Sequence, residues 1–95
     1  MKVTVRSISL IKALLGRDDL GVDVPAGTTV DGLLTRLIDI GGQELASYFA
    51  LPKEESAYAP LRVMVNGRDI AALAGRGTVL GEGDDVLIFI PIAGG

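Results

Sequence analysis

The sequence predicts an α+β fold in which a mixed β-sheet packs on one main helix. Several short segments alternate apolar and polar residues, which is typical of half-buried strands, and one segment repeats apolar residues at helical spacing. In chain order these segments are strand, strand, helix, strand, short strand and strand. With 95 residues, the chain can form one hydrophobic core but not two, so we expect a single domain over residues 1–95.

The first 25 residues predict two neighbouring strands and a short helix between them. Val3 and Val5 alternate with polar residues in a strand that should run to about Ile8. From Leu10 the apolar residues lie four apart, and Gly16 then ends this helical segment. After a polar turn at residues 17–19, a second strand alternates apolar residues until Pro25. The apolar residues of that strand are Leu20, Val22 and Val24.

The strongest helix signal begins near residue 28. Its apolar residues recur at the spacing of one helix face, and Thr28 with Asp31 fits an N-terminal capping pattern. Gly41 and Gly42 should end this helix. The apolar face consists of Val30, Leu33, Leu34, Leu37 and Ile38.

The segment from residue 43 to residue 60 is expected to be an irregular elaboration of the domain. Its first part, Gln43 to Phe49, can form a second short helix. The rest is a partly charged loop bounded by Pro52 and Pro60, and we expect flexibility there.

The last third of the chain predicts three strands. Leu61, Val63 and Val65 alternate in a third strand, and Asn66-Gly67 favours a type I′ hairpin turn because both of its central residues need positive φ. Residues 68–70 return as a short strand, and a glycine-rich acidic turn leads into a last strand from residue 86 to 92. The third and last strands should lie beside the first, which is the β-grasp, or ubiquitin-like, arrangement.

The last strand departs from the alternation expected of a sheet with one wet face, because both of its faces are apolar. Val86 and Ile88 are expected in the core, which leaves Leu87 and Phe89 on the open face. An exposed apolar patch there suggests a docking surface for a partner. The alternative is that the loop from residue 44 to 59 folds over this face and buries it.

Composition excludes several classes of function. The net charge is -3 at pH 7, and the sequence contains no clustered basic run, which disfavours binding to nucleic acid or to anionic lipid. The absence of cysteine and histidine removes thiol nucleophiles, thiolate metal sites and the commonest general base. The longest apolar run is far shorter than the roughly 18 residues that a membrane span needs, and no signal peptide is apparent, so we expect a soluble, cytoplasmic protein.

Paired carboxylates are the remaining candidates for chemistry inside the domain. They occur at residues 18–19, 54–55 and 82–85, and each group lies in a predicted turn. Because functional carboxylates need burial or a charged neighbour, we interpret these as solvated turn charges and expect no metal site.

The C-terminal residues carry the one distinctive chemical feature. The apolar strand is followed by Gly94 and Gly95, which have no Cβ and can pass through a narrow tunnel. The Gly95 carboxylate is then a chemical handle on a slender arm. We expect residues 92–95 to form a flexible tail.

The C-terminal third also resembles a known family. The segments Val65–Ile70, Leu80–Val86 and Ile88–Gly95, together with the opening strand, resemble the MoaD/ThiS sulfur carriers, most closely the small subunit of molybdopterin synthase. The resemblance covers nearly the whole chain apart from about residues 43–60. It implies a β-grasp fold and a sulfur carrier without catalytic groups of its own.

The same resemblance implies how such a carrier works. A ubiquitin-activating-type adenylyltransferase would bind the domain and use ATP and magnesium in trans to adenylate the Gly95 carboxylate, with Gly94 giving access. Sulfur would then form a thiocarboxylate for delivery to the molybdopterin synthase large subunit. The partner-facing residues implied by the resemblance and by the parity of the last strand are Leu87, Phe89, Pro91, Ile92 and Ala93.

Three other roles remain open at this point. A related carrier can serve thiamine, cysteine or thionucleotide synthesis in tRNA. The same fold can also serve as a protein modifier that is joined to lysines, or as a noncovalent adaptor.

Overall fold

The computed structural model describes residues 1–16, 19–49 and 61–89, in which five strands form one mixed sheet with two helices packed on one face. The order of strands across the sheet is β2-β1-β5-β3-β4. The strands are β1 (Lys2–Ser7), β2 (Asp19–Asp23), β3 (Arg62–Val65), β4 (Arg68–Asp69) and β5 (Asp85–Phe89), and the helices are α1 (Ser9–Leu15) and α2 (Val30–Phe49).

The central strand, β5, pairs parallel to β1 and antiparallel to β3. β1 also pairs antiparallel to β2, as expected for neighbouring strands. The expectation that β3 lies beside β1 is wrong, because β5 lies between them and takes the hydrogen-bonding edges of both. The resulting α+β architecture is the β-grasp arrangement predicted from the order of elements.

The core lies between the sheet and the two helices. It is built from the inward residues of β1, β2, β3 and β5 and from one face of each helix. The strand faces predicted from alternation therefore pack against the helix faces predicted from helical spacing. Its buried residues are Val3, Val5, Ile11, Leu15, Val22, Val24, Val30, Leu33, Leu34, Leu37, Leu45, Val63, Val65, Leu80, Val86 and Ile88.

The start of α2 differs by one residue from the predicted capping pattern. Thr29, not Thr28, caps the helix, because its Oγ1 accepts a hydrogen bond of 3.2 Å from the backbone N–H of Gly32. The Thr28 hydroxyl instead donates to the carbonyl oxygen of Pro25 at 2.6 Å and closes the preceding turn. The Thr28–Asp31 capping prediction is therefore wrong in register.

A break at Gly42 divides α2 into two segments. Gly42 has φ 80° and ψ −164°, a conformation that disfavours residues with a side chain. The break confirms the predicted end of the main helix and the short second helix, and it turns Leu45 into the core, where it is fully buried. The described part of the predicted elaboration, residues 43–49, is thus helical.

Two other local predictions are confirmed. Gly16 ends α1 in the left-handed region, with φ 88°, and its N–H donates to the carbonyl oxygen of Lys12 at 2.8 Å. Asn66 and Gly67 have φ values of 52° and 86°, as the type I′ turn between β3 and β4 requires. In the described parts of the chain, no helical segment combines the length and hydropathy needed to cross a lipid bilayer.

Replacement of Gly41 by alanine should destabilise the fold. A Cβ at position 41 would lie 2.5 Å from Cδ2 and 2.9 Å from Cβ of the buried Leu45, so Leu45 or the helix must shift. We expect a loss of about 1–3 kcal/mol in the free energy of unfolding, measured by urea denaturation.

Gly77→Ala is the matched control, because a Cβ there has no atom within 4 Å and its φ is not positive. Equal stability of the two variants would contradict this account of the Gly41–Leu45 contact.

Candidate functional site

The two faces of β5 have different environments, although both are apolar. Val86 and Ile88 are fully buried beneath the helices. Leu87 and Phe89 alternate with them and are only half-buried on the opposite face of the sheet. The structure therefore places both predicted docking residues on the open face.

Cross-strand pairing brings a third apolar residue to this surface. Met64 of β3 lies directly opposite Leu87, so its side chain is on the same face and is also half-buried. Met64, Leu87 and Phe89 together form what we call the open-face patch. Ile8 continues the alternation of β1 with extended backbone and is 49% exposed, which extends the apolar surface toward the end of the sheet where β5 ends.

Two arginine–aspartate pairs flank the open-face patch. On one side Arg6 of β1, whose register partner is Leu87, binds Asp85 with Nε 2.9 Å and 3.0 Å from the two carboxylate oxygens. On the other side Arg62, opposite Phe89, binds Asp69 with Nε 2.9 Å from Oδ2. Because both pairs are on the surface, each contributes little stability, but each holds a guanidinium beside the apolar residues.

The pKa of the Asp69 carboxyl is lowered from its ordinary value. The main cause is a hydrogen bond of 2.9 Å from the backbone N–H of Ala71, followed by the hydrogen bond from Arg62. Both stabilise the charged form of the carboxylate. The Arg62 guanidinium is therefore held in place by an aspartate that is itself anchored to the backbone.

The acidic turn before β5 connects neighbouring elements through hydrogen bonds of Asn66, Asp84 and Asp85, which we call the Asn66–Asp84–Asp85 joint. Asp84 Oδ2 accepts a hydrogen bond of 2.7 Å from the backbone N–H of Gly81, and Asp84 Oδ1 accepts one of 3.0 Å from the Asn66 side chain. Asn66 Oδ1 in turn accepts from the backbone N–H of Asp85 at 2.9 Å. The carboxylates of Asp84 and Asp85 thus link the β3–β4 hairpin, β1 and β5. They lie in or next to the turn, as predicted, but they are hydrogen-bonded and half-buried rather than freely solvated.

Among residues 1–16, 19–49 and 61–89, no three histidine, cysteine, aspartate or glutamate side chains come close enough together to hold a metal ion.

The other predicted site residues lie outside the described residues. These are Pro91, Ile92, Ala93, Gly94 and Gly95, and the paired carboxylates at 54–55 and residue 18 lie outside them as well. The alternative prediction, that the loop from residue 44 to 59 covers the open face, also lies partly outside the described residues. Its residues 44–49 belong to α2 on the helix side of the sheet, with Leu45 in the core, and its residues 50–59 are outside the described ranges.

Sequence reasoning missed Met64 and the two flanking arginines. Met64 and Arg62 belong to β3, and Arg6 belongs to β1, so only the pairing of both strands with β5 brings these residues together. The available signal was the alternation within each strand, which assigns a face to each residue but does not show which strands are adjacent.

Comparison with known proteins agrees with this geometry. The model of the ThiS family matches residues 11–95, a range that includes most of α1, every later element and Gly94-Gly95. The chain belongs to the ThiS family. It is thereby a member of the ubiquitin-like sulfur carrier family. A comparison with curated proteins finds no significant match.

Solved structures similar to this ThiS-family chain include three archaeal proteins. The HVO 2177 protein of Haloferax volcanii is 27% identical, with a TM-score of 0.80 over 100% of this chain and 87% of the other. Small archaeal modifier protein 1 of Methanosarcina acetivorans is 24% identical, with a TM-score of 0.77 over 99% and 96%. A putative molybdopterin converting factor subunit 1 of Pyrococcus furiosus is 24% identical, with a TM-score of 0.74 over 97% of this chain and 99% of the other.

A glutamate substituted on one face of β5 should affect folding differently from a glutamate on the other face. We expect Ile88→Glu to unfold the domain, because it places a carboxylate at a fully buried position, whereas Phe89→Glu should keep the fold. The new carboxylate at position 89 lies opposite Arg62, which favours it. Thermal denaturation followed by circular dichroism measures both, and unfolding of Phe89→Glu would place Phe89 in the core.

Because the pKa of Asp69 is lowered in the folded state, the free energy of unfolding should depend on pH in the acidic range. This pKa is lower than the usual 3.8, so the contribution of Asp69 is present above about pH 4 and is lost as the pH falls through the folded-state value. Asp69→Asn should therefore lose stability at neutral pH and less at low pH. Urea denaturation between about pH 2 and pH 7 measures this difference.

Asp39→Asn is the matched control for the acid test, since Asp39 is exposed and lies 3.9 Å from Arg36 in a loose surface pair. If the two variants lose stability with the same pH profile, the Asp69 anchor has no special role.

Proposed function

We propose that this ThiS-family protein is a sulfur carrier whose Gly95 carboxylate is adenylated and then converted to a thiocarboxylate for molybdopterin biosynthesis. The observation that carries the proposal is the family match, which extends across β5 and includes Gly94-Gly95. The position of the open-face patch supports it, because Phe89 ends β5 six residues before Gly95.

The proposed chemistry needs no catalytic group on this chain. A carboxylate is a poor acyl donor, and adenylation makes its oxygen part of a good leaving group. In the first step the Gly95 carboxylate oxygen attacks the α-phosphate of ATP and releases pyrophosphate. In the second step sulfide attacks the acyl carbon, the bond to AMP breaks, and loss of the S–H proton leaves the Gly95 thiocarboxylate.

A separate adenylyltransferase would supply the ATP, the magnesium ion and the catalytic side chains in trans. The chain has no histidine and no cysteine, and its described carboxylates at 84 and 85 are engaged in the turn before β5. What the chain itself contributes is binding surface and a terminal carboxylate that a narrow active site can admit.

The open-face patch is the surface that we assign to this activating enzyme. Met64, Leu87 and Phe89 are half-buried, flanked by Arg6 and Arg62, and situated on the strand that leads to the C-terminal residues. A central apolar patch with a charged rim is the usual anatomy of a protein interface. In the proposal Pro91, Ile92 and Ala93 extend the same contact toward the active site of the partner.

Molybdopterin synthase is the acceptor that we favour. The similarity to a putative molybdopterin converting factor subunit from Pyrococcus furiosus supports this choice, as does the resemblance of the C-terminal third. The large subunit of that enzyme would receive the loaded Gly95 and take its sulfur. Carriers for thiamine, cysteine or tRNA thiolation share the same first two steps.

A second candidate is a protein modifier joined through Gly95 to lysine side chains. The similarity to small archaeal modifier protein 1 of Methanosarcina acetivorans favours it. Both candidates require adenylation and differ in the nucleophile that attacks afterwards, which is sulfur in one case and an amine in the other.

Mass spectrometry of the intact protein tests the proposal. After incubation with a ThiS-family activating enzyme, ATP, magnesium and sulfide, we expect one terminal oxygen to be exchanged for sulfur. Deletion of Gly94-Gly95 should abolish the exchange while the circular dichroism spectrum stays unchanged. Normal ATP-dependent adenylation of the deletion variant would refute the proposal.

Two further experiments test the docking surface and the identity of the acceptor separately. Phe89→Glu should raise the KM for the carrier in the adenylation reaction by about tenfold or more, since loss of a central interface aromatic costs upward of 1–2 kcal/mol. Conversion of a pterin precursor by the loaded carrier and a molybdopterin synthase large subunit would support molybdopterin synthesis. Isopeptide-linked conjugates in its place would support the modifier role.

A further inference from the structure

The exposed edge of β2 is a second surface of the molecule at which another strand could pair with the sheet. β2 is an outer strand of the sheet, and β1 separates it from β5 and the open-face patch. Unlike β4, which has two residues, β2 has five, enough to pair with another strand.

The alternation of hydrogen bonds shows which backbone groups of β2 point outward. Met1 and Val24 exchange two hydrogen bonds, of 2.7 Å and 2.8 Å, so they form a hydrogen-bonded antiparallel pair. Such pairs alternate with non-bonded pairs along the ladder. The register pairs Lys2 with Asp23 and Thr4 with Gly21, so Asp23 and Gly21 direct their N–H and C=O groups away from β1.

The side chains on this edge are acidic. Asp19 and Asp23 are exposed on the open face on either side of Gly21, and neither carboxylate has a hydrogen bond or ion pair within the described part of the chain. The nearest basic group, Lys2, lies with its stem over Gly21 and supplies one positive charge against two negative ones. Arg6, the register partner of Asp19, is already bound to Asp85.

The other face of the same edge opens into a groove. A cavity of about 490 Å³ lies between the end of β2 and the first turns of α2, with Val24, Pro25 and Gly32 among its lining residues. A strand added to β2 would alternate its side chains between this groove and the acidic open face.

We propose that the β2 edge binds an extended peptide segment with alternating basic and apolar residues. Its backbone would pair with Gly21 and Asp23, its basic side chains would lie opposite Asp19 and Asp23, and its apolar side chains would enter the groove beside α2. β1 separates the site from β5, so a partner would hold the β2 edge without contacting the strand that leads to the C-terminal residues.

Charge decides between this occupant and a second copy of the chain. Antiparallel pairing of two β2 strands about Gly21 would place Asp19 of each copy directly opposite Asp23 of the other. Like charges in direct opposition destabilise a strand pair, whereas opposite charges stabilise it. Charge therefore disfavours pairing with a second copy in this register and favours a basic strand.

A synthetic peptide tests the proposal on the intact protein. The probe is a fluorescein-labelled peptide of alternating lysine and valine, about seven residues long, which matches the length of common strands. We expect saturable binding in fluorescence anisotropy, and amide shifts in NMR spectra centred on Gly21 and Asp23. No binding, or shifts centred on Met64, Leu87 and Phe89, would overturn the proposal.

Backbone methylation of the peptide separates strand addition from simple charge attraction. Only alternate N–H groups of an added strand point at β2. Methylation of one alternate set should therefore abolish binding, and methylation of the other set should leave it intact. If both methylated peptides bind equally, or if neither binds, the edge does not add a strand.

Variants of the protein test the charge component. Asp23→Asn should raise the Kd of the lysine–valine peptide about two- to fivefold, the effect of one cross-strand charge pair. Glu44→Gln removes the same charge from an exposed site on α2 that does not line the groove, and it should leave the Kd unchanged. Equal effects of the two variants would assign binding to net charge and contradict the proposal. A concentration-dependent dimer with amide shifts at Gly21 would also overturn it.

Discussion

The rest of this structure depends on the insertion of β5 between β1 and β3. Val86 is the register partner of both Val5 and Val65, so one buried valine from each of three strands meets at the centre of the sheet. The pairing joins segments about 80 residues apart in the chain, which costs loop-closure entropy that only the buried core can offset. The Asn66–Asp84–Asp85 joint stabilises the entry to β5 by satisfying backbone groups that the strand ladder leaves open.

A central strand with two apolar faces has a direct functional consequence. The helices cover Val86 and Ile88, and nothing in the described part of the chain covers Leu87 and Phe89 to the same degree. The same strand thus stabilises the domain through one face and offers binding surface through the other. A partner that docks on the open-face patch would contact the strand whose continuation carries Gly95, which couples recognition of the domain to the position of its terminal carboxylate.

Charged side chains on the open side of the sheet fall into two groups. The pairs Arg6–Asp85 and Arg62–Asp69 are internally neutralised and form a rim around the open-face patch. Asp19 and Asp23, at the β2 edge, are not neutralised in this way. A neutral rim around an apolar centre suits a protein interface, and an unneutralised acidic edge repels a second copy of itself, so one sheet can hold two surfaces with different selectivity.

The sequence by itself determined which face of the strands and of the first part of α2 is buried, because alternation and helical spacing act locally. It also determined the break at Gly41-Gly42 and the Asn66-Gly67 turn, since only residues without a Cβ, or tolerant of positive φ, suit those backbone conformations. The family could be inferred from the C-terminal third for the same reason, as its turn, strand and Gly-Gly are contiguous. Local signals were less exact at the start of α2, where two adjacent threonines compete and hydrogen-bond geometry selects Thr29.

Only the tertiary structure decided which strands are neighbours. The position of β5 between β1 and β3, and with it the meeting of Met64, Arg6 and Arg62 around Leu87 and Phe89, rests on hydrogen bonds between residues far apart in the chain. The outward direction of the Gly21 and Asp23 backbone was likewise decided by the register of β1 against β2. Alternation assigns each side chain to a face, but it carries no information about the strand that lies alongside, and strand adjacency is what turns separate residues into a surface.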